Sequence, residues 1–216
     1  LPLLRKYKQI NYVEVEKHAI QQSFVRIGHT LKHLHEDKQV FWFLLAFFCY
    51  IDGVYTIIDM ATAYGTALGL ETTGLLLALL VTQIVAFPSA LIFGRLSAKY
   101  PSSQLIPVCI AAYTGIAVFA FFLTSQWQFW VLAVLVGMFQ GGVQALSRSH
   151  FAKSGEYFGL FDICGKGASF LGTMIVSVGS QLTGSANVGI GMLAVLFAVG
   201  FVLFRVSCRT EDAKQV

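Results

Sequence analysis

Charge is scarce in this sequence, and that scarcity excludes the balance of a soluble globular domain. Only 12% of the 216 residues are Asp, Glu, Lys or Arg, 56% are hydrophobic, and the mean hydropathy is +0.69. By composition the chain is a membrane protein. The patterns that mark chemical centres are also missing. Cys49, Cys109, Cys164 and Cys208 have no C-x-x-C spacing, so neither a disulfide framework nor a zinc site is indicated, and they read as small apolar residues. The membrane-embedded ionisable residues form no Ser-Lys, His-Asp or H-E-x-x-H arrangement, and there is no G-x-x-x-x-G-K-[ST] loop. Neither intramembrane hydrolysis nor ATP-driven pumping is therefore expected. No catalytic residue, metal, cofactor or nucleic-acid partner is expected. The chain starts with Leu1 instead of Met, and its polar, basic first 38 residues lack the apolar core and cleavage site of a secretory signal. It reads as part of a longer protein.

What is present is long apolar runs. Crossing about 30 Å of hydrocarbon takes roughly 20 apolar residues in a helix, and six stretches qualify: 40–64, 73–93, 103–124, 128–147, 157–181 and 188–206. The breaks carry loop chemistry, as in "GLETTG", "GRLSAKYPSS", "TSQWQ", "SRSHFAKSGE" and "TGSANVG". Lys and Arg are retained on the cytoplasmic side. Arg5, Lys6, Lys8, Lys17, Arg26, Lys32, Lys38, Arg95, Lys99, Arg148, Lys153, Arg205, Arg209 and Lys214 fall on one side, while the loops near Glu71, Gln126 and Asn187 have none. Both ends of the chain are therefore expected in the cytoplasm. The expected organisation is a cytoplasmic basic segment over 1–39, a six-helix bundle over 40–206 and a cytoplasmic tail over 207–216.

Within the leading segment Ile20, Phe24, Ile27, Leu31 and Leu34 recur at helical spacing between Lys17, Arg26, Lys32 and Lys38, a basic amphipathic helix. Such a helix suits an anionic lipid surface or a neighbouring part of the protein. His29, His33 and His35 need no metal to explain them in a charged helix.

Apart from Arg205 at the C-terminal edge of the sixth stretch, Lys166 is the only Lys or Arg inside a span. Counted from Tyr157 it lies nine residues in, about 13 Å at 1.5 Å per residue. Asp162 precedes it by one turn, so an intrahelical ion pair is expected. That pair serves either to lock helices together or to face a cavity, gating it or holding an anionic group. In the first span Asp52 and Asp59 stand seven residues apart, with Tyr55 and Thr56 between them, and read as one polar stripe. Intramembrane carboxylates usually face a bundle interior or a water-filled path, although Asp52 or Asp59 near a membrane end or paired to another helix would be structural. Gln140, Gln144 and Ser147 make a second polar face in the fourth span, and Gln83 adds an amide to the second. These amides serve as interhelical glue or as ligand contacts. Glycines at 137, 141, 142, 159, 165, 167 and 172 permit close helix approach, and Pro88 and Pro107 favour kinks.

The stretch "IFGRLSAKYPSSQLI" resembles the loop signature G-x-L-a-D-r-x-G-r of the major facilitator superfamily, at Gly94, Arg95, Leu96 and Lys99. Ala98 replaces its acid, and Pro101 and Ser102 its later glycine and basic residue. Such a degraded copy is the one between helices eight and nine of twelve, which makes the six spans helices 7–12. "FFCYIDGVYTII", "GGVQALSRSHFAK" and "EYFGLFDICGKGASFLG" resemble a bacterial "unknown major facilitator" branch related to the fungal vacuolar amino-acid effluxer, and residues 1–39 resemble its central loop. Tyr55 and Asp59 depart from that branch, which has an acidic and a basic residue there. The loop after Lys153 is also short for it, as if residues were missing before Ser154.

The resemblance implies an all-α, polytopic six-transmembrane-helix bundle forming the C-terminal half of a secondary transporter for a small solute. Amino acids or related metabolites are its implied substrates, and a proton or cation its implied coupling partner. The partners would be the lipid bilayer and an N-terminal six-helix half, and the place a bacterial inner membrane. Asp52, Tyr55, Gln140, Gln144, Asp162 and Lys166 are its candidate pathway residues. Two other readings fit the composition: a non-transporting membrane scaffold whose polar residues are glue, and a six-helix transporter acting as a dimer.

Overall fold

A computed structural model describes residues 38–151 and 158–212. Their regular structure is helical: α1 Lys38–Ala67, α2 Thr72–Leu96, α3 Ser102–Phe121, α4 Gln126–Phe151, α5 Phe158–Gly167, α6 Phe170–Thr183 and α7 Ala186–Asp212. No strand occurs among the described residues. With α5 and α6 taken as one crossing, six stretches are long and apolar enough to span a bilayer, as expected from the sequence. The amphipathic helix expected before Lys38 and the short loop at Lys153 lie outside the described residues.

The connections follow from local chemistry. α1 ends where Gly69 turns left-handed at φ +74. There the Leu70 amide bonds the Gly65 carbonyl at 3.0 Å and the Gly69 amide bonds that of Thr66 at 2.9 Å, the paired reverse bonds of a Schellman stop. α4 starts with a capping-box bond: the Gln128 side chain turns back to the amide of Ser125 at 3.1 Å and to that of Thr124 at 2.8 Å. The carbonyls freed at the end of α3 are satisfied from other helices. Asn187 Nδ2 reaches Phe121 and Leu123 at 3.0 and 2.9 Å, and Tyr64 donates to Ala120 at 2.6 Å.

Those contacts gather the loops that lack Lys and Arg at one end of the bundle. At the other end Ser102 bonds His150 at 2.8 Å, and Ser207 donates to the Gln39 carbonyl at 3.1 Å. Lys38, Arg95, Lys99, Arg148, Arg205 and Arg209 all sit toward this basic end. The signature residues Gly94 and Arg95 are exposed in the last turn of α2, Leu96 is half-buried, and Lys99 is exposed in the turn that follows.

α1 packs chiefly on α7, α2 on α4, α3 on α7 and α4, and α6 on α7. α2 and α4 approach closely because Gly137 and Gly141 put bare backbone against the Thr82 and Ala86 carbonyls, where a Cβ would overlap. The hydroxyls of Thr82 and Ser89 donate across the same seam, to the carbonyls of Ala133 and Met138. α2 and α3 run on through Pro88 and Pro107 without interruption. At the basic end aromatic rings fill the gap between α1, α4 and α5. Phe47 stacks on Phe161 with centroids 4.1 Å apart, and Phe151 lies 5.0 Å from Phe161 and 5.3 Å from Phe43.

One expected span is divided. The run 157–181 is two helices, because the backbone turns at Ser169, which takes the left-handed φ of +83. The approach to the turn, "CGKGAS", is poor in helix formers, with Gly165 and Gly167 each disfavoured by about 1 kcal/mol relative to Ala.

Candidate functional site

The polar residues of the first span diverge. Asp52 and Thr56, four residues apart, are both fully buried and turn toward the α5–α6 break. Tyr55 and Asp59 lie along another stripe, Tyr55 half-buried and Asp59 exposed. Asp52 and Asp59 differ by only about 20° around the helix, while Tyr55 and Thr56 stand about 100° apart on either side of that line. The stripe expected between Asp52 and Asp59 is thus divided by depth and by neighbours: Asp52 and Thr56 pack on the break, and Tyr55 and Asp59 are more open.

Following the Tyr55 stripe back by fours gives Ile51 and Phe47. These three, with Gln144 and Arg148 from α4 and Phe161, Asp162, Gly165 and Lys166 from α5, line a cavity of about 100 Å³. Four of the six candidate residues, Tyr55, Gln144, Asp162 and Lys166, thus meet at one place although the sequence spreads them from position 55 to position 166. Three buried or half-buried aromatic side chains and Ile51 form its apolar wall. The polar groups come from three helices.

Lys166 Nζ lies 2.7 Å from Asp162 Oδ2, the ion pair expected from the four-residue spacing. The pair is not buried in this bundle: its side chains are 77% and 43% exposed. Each charge therefore keeps an open side. Arg148 lines the same cavity, so one acid and two cations share it. Such a set offers both signs of charge to a bound molecule.

Arg148 is the cavity residue that sequence reasoning missed. The apolar run of the fourth span stops at Ser147, which leaves Arg148 as a loop cation, whereas α4 runs on to Phe151. The available signal was spacing: Arg148 follows Gln144 by one turn and Gln140 by two.

Asp52 and Gln140 lie apart from this cavity lining. Asp52 Oδ2 accepts a 2.6 Å hydrogen bond from the Gly172 amide, one of the free donors in the first turn of α6. Thr56 Oγ1 lies 3.5 Å from the Ser169 carbonyl. α1 thus caps α6 across the break. Gln140 presents a buried Oε1 that no group among the described residues hydrogen-bonds. Gln83 lines a second, almost wholly apolar cavity of about 40 Å³ with Tyr64, Thr82, Phe129 and Leu132, which offers little chemistry for binding. No cluster of three or more metal-ligating side chains occurs among the described residues.

The family described as "Vacuole effluxer Atg22 like" matches residues 2–215. The "Uncharacterized MFS-type transporter YxiO" of Bacillus subtilis (strain 168) is 41% identical over 209 residues, which cover 94% of this chain and 49% of that protein. Autophagy-related protein 22 of Saccharomyces cerevisiae (strain ATCC 204508 / S288c) is 29% identical over 180 residues, covering 75% of this chain and 34% of that one. The protein of the same name from Coccidioides immitis (strain RS) is 25% identical over 219 residues, covering 90% and 36%. The chain spans about half the length of these relatives or less.

Proposed function

Because the chain belongs to the Atg22-like vacuole effluxer family, we propose that it is the C-terminal half of a secondary, alternating-access transporter. The carrying observation is the cavity between α1, α4 and α5, where Tyr55, Gln144, Arg148, Asp162 and Lys166 converge. In a bundle with almost no other charge within its spans, three charges at one opening make a solute path. The open faces of Asp162 and Lys166 turn toward an N-terminal six-helix half, and the two halves rock about a midplane site.

Within that site Arg148 and Lys166 hold an anionic group, Asp162 a cationic one, and Tyr55 and Gln144 donate and accept neutral hydrogen bonds. This suits a zwitterion, which supports amino acids or related metabolites as substrates. Burying the solute against Phe47, Ile51 and Phe161 removes water and strengthens those polar contacts. The basic end faces the cytoplasm by the positive-inside rule, in the inner membrane of a bacterium.

The test uses the natural polypeptide, expected at about twice the 23.7 kDa of this chain, reconstituted in liposomes. Counterflow of labelled amino acids is expected in the unaltered protein and lost in Lys166→Ala, with folding preserved. Normal counterflow in Lys166→Ala removes this site. A natural polypeptide of 23.7 kDa would move the reading to a dimer, and no transport of any small solute, with function intact after apolar replacement of Asp162 and Lys166, to a scaffold.

A further inference from the structure

Asp52 is a buried acid that the solute cavity leaves unused. It is 0% exposed, one oxygen bonds the Gly172 amide at 2.6 Å, and the other, Oδ1, has no hydrogen-bond partner among the described residues. Its surroundings hold little that ionises. On α1 the Cys49 thiol and the Tyr55 phenol stand one turn away, and the exposed Asp59 carboxyl two turns away. α6 has no titratable side chain, nor has α7 from Ala186 to Phe204. On α5, Asp162 and Lys166 are bonded to each other, Cys164 is the remaining titratable group, and on α4 Arg148 faces the cavity.

An ionised carboxylate buried without a cation is expensive, and such groups commonly neutralise by binding a proton. A metal ion would need several oxygen ligands and room among them. Beside Oδ2 the packing is tight, since even a methyl group on Gly172 would overlap Thr56 and press on Asp52 Oδ2, and no cluster of three or more metal-ligating side chains occurs among the described residues. A proton needs no room, and Oδ1 is free to take it.

The position gives protonation a mechanical consequence. An ionised Asp52 favours the positive end of α6 through both its hydrogen bond and its charge, and a neutral one loses the charge contribution. Asp52 thereby controls how firmly α6 is held at Ser169, where the span is already broken. On the other side of that break α5 carries Asp162 and Lys166 to the solute cavity. Because the carboxyl is sealed between α1 and α6, a proton from water reaches Oδ1 only when the break opens.

We propose that Asp52 is a proton-binding site separate from the solute cavity, and that its protonation loosens the α5–α6 break and so couples proton binding to the position of Asp162 and Lys166. Its effect on transport rests on the transporter reading; protonation and loosening do not. The first measurement is infrared spectroscopy of the natural full-length protein across a pH series. A protonated-carboxyl band that grows with acid, vanishes in Asp52→Asn and survives in Asp162→Asn is expected. A band insensitive to Asp52→Asn, or none at any pH where the protein stays folded, overturns the proposal and leaves Asp52 a fixed cap. Should Asp52→Asn not fold, hydrogen exchange of the unaltered protein decides. Acid should selectively deprotect the amides of residues 170–173 relative to 176–180 after correction for intrinsic rates; uniform behaviour overturns it. In liposomes Asp52→Asn should lose gradient-driven accumulation but keep counterflow, whereas absence of counterflow in the unaltered protein counts against the transporter reading alone.

Discussion

Lys166 Nζ and Asp162 Oδ2 lie 2.7 Å apart on consecutive turns of α5, with both side chains partly open. An exposed pair of this kind contributes little to folding, and under the proposed function its place beside Tyr55, Gln144 and Arg148 gives it work on a solute. Lys166→Met and Asp162→Asn are expected to leave the thermal unfolding midpoint within a few degrees while abolishing counterflow. The exchanged double variant Asp162→Lys with Lys166→Asp sharpens the test. It restores an ion pair but reverses the charges offered to the substrate, so it should fold and remain inactive. Recovered transport in the exchanged variant would assign the pair to helix locking.

Much of this arrangement was legible in the residues. Long apolar runs separated by Gly, Pro and polar loops mark the six crossings, since in hydrocarbon only a helix satisfies its own backbone. The four-residue spacing of Asp162 and Lys166 marks their ion pair. Rotation was harder to read. Asp52 and Tyr55 are close in sequence, yet which helix each one faces is decided by the packing of α5 and α6, and nothing local to α1 encodes it. The break at Ser169 was hidden for a similar reason: "GKGASFLG" is compatible with one weak helix or two, and the Asp52 side chain, distant in sequence, stabilises the second. Arg148 was obscured by a helix end, because α4 continues past the apolar run to Phe151.

Gly172 is required by the close approach of α6 to α1. A Cβ there would overlap Thr56 and crowd Asp52, so Gly172→Ala should destabilise the protein by about 1–3 kcal/mol through overpacking. Gly115→Ala is the control, since a Cβ there meets nothing within 4 Å; it should be neutral or stabilising by up to about 1 kcal/mol. Thermal unfolding of both variants in detergent checks the contrast, and equal shifts would contradict the packing described.

Tyr50 and Ser147 tie α1 to α4 behind the cavity through a buried hydrogen bond of 2.6 Å. Ser147 also lies 2.6 Å from the Val143 carbonyl and donates its proton there, so Tyr50 is the donor to Ser147. Tyr50→Phe removes that donor but leaves Ser147 Oγ bonded through its own proton. The expected loss is modest, about 0.5–1.5 kcal/mol, and is read as a small fall in the unfolding midpoint with counterflow retained.

Arg148 has two features that are usually separate: it stands among the basic residues at one end of the bundle and also lines the cavity. If its role were only to set orientation in the membrane, any cation there would serve, and Arg148→Lys would transport normally. A guanidinium that grips a substrate carboxylate does so through two parallel donors, which an ammonium does not reproduce. Arg148→Lys is therefore expected to raise KM for a zwitterionic substrate with little change in maximal rate, and Arg148→Gln to raise it further. Since Arg148 is exposed, neither variant should shift the unfolding midpoint appreciably. Unchanged KM in both would leave Arg148 an orientation signal and shift carboxylate binding to Lys166 alone.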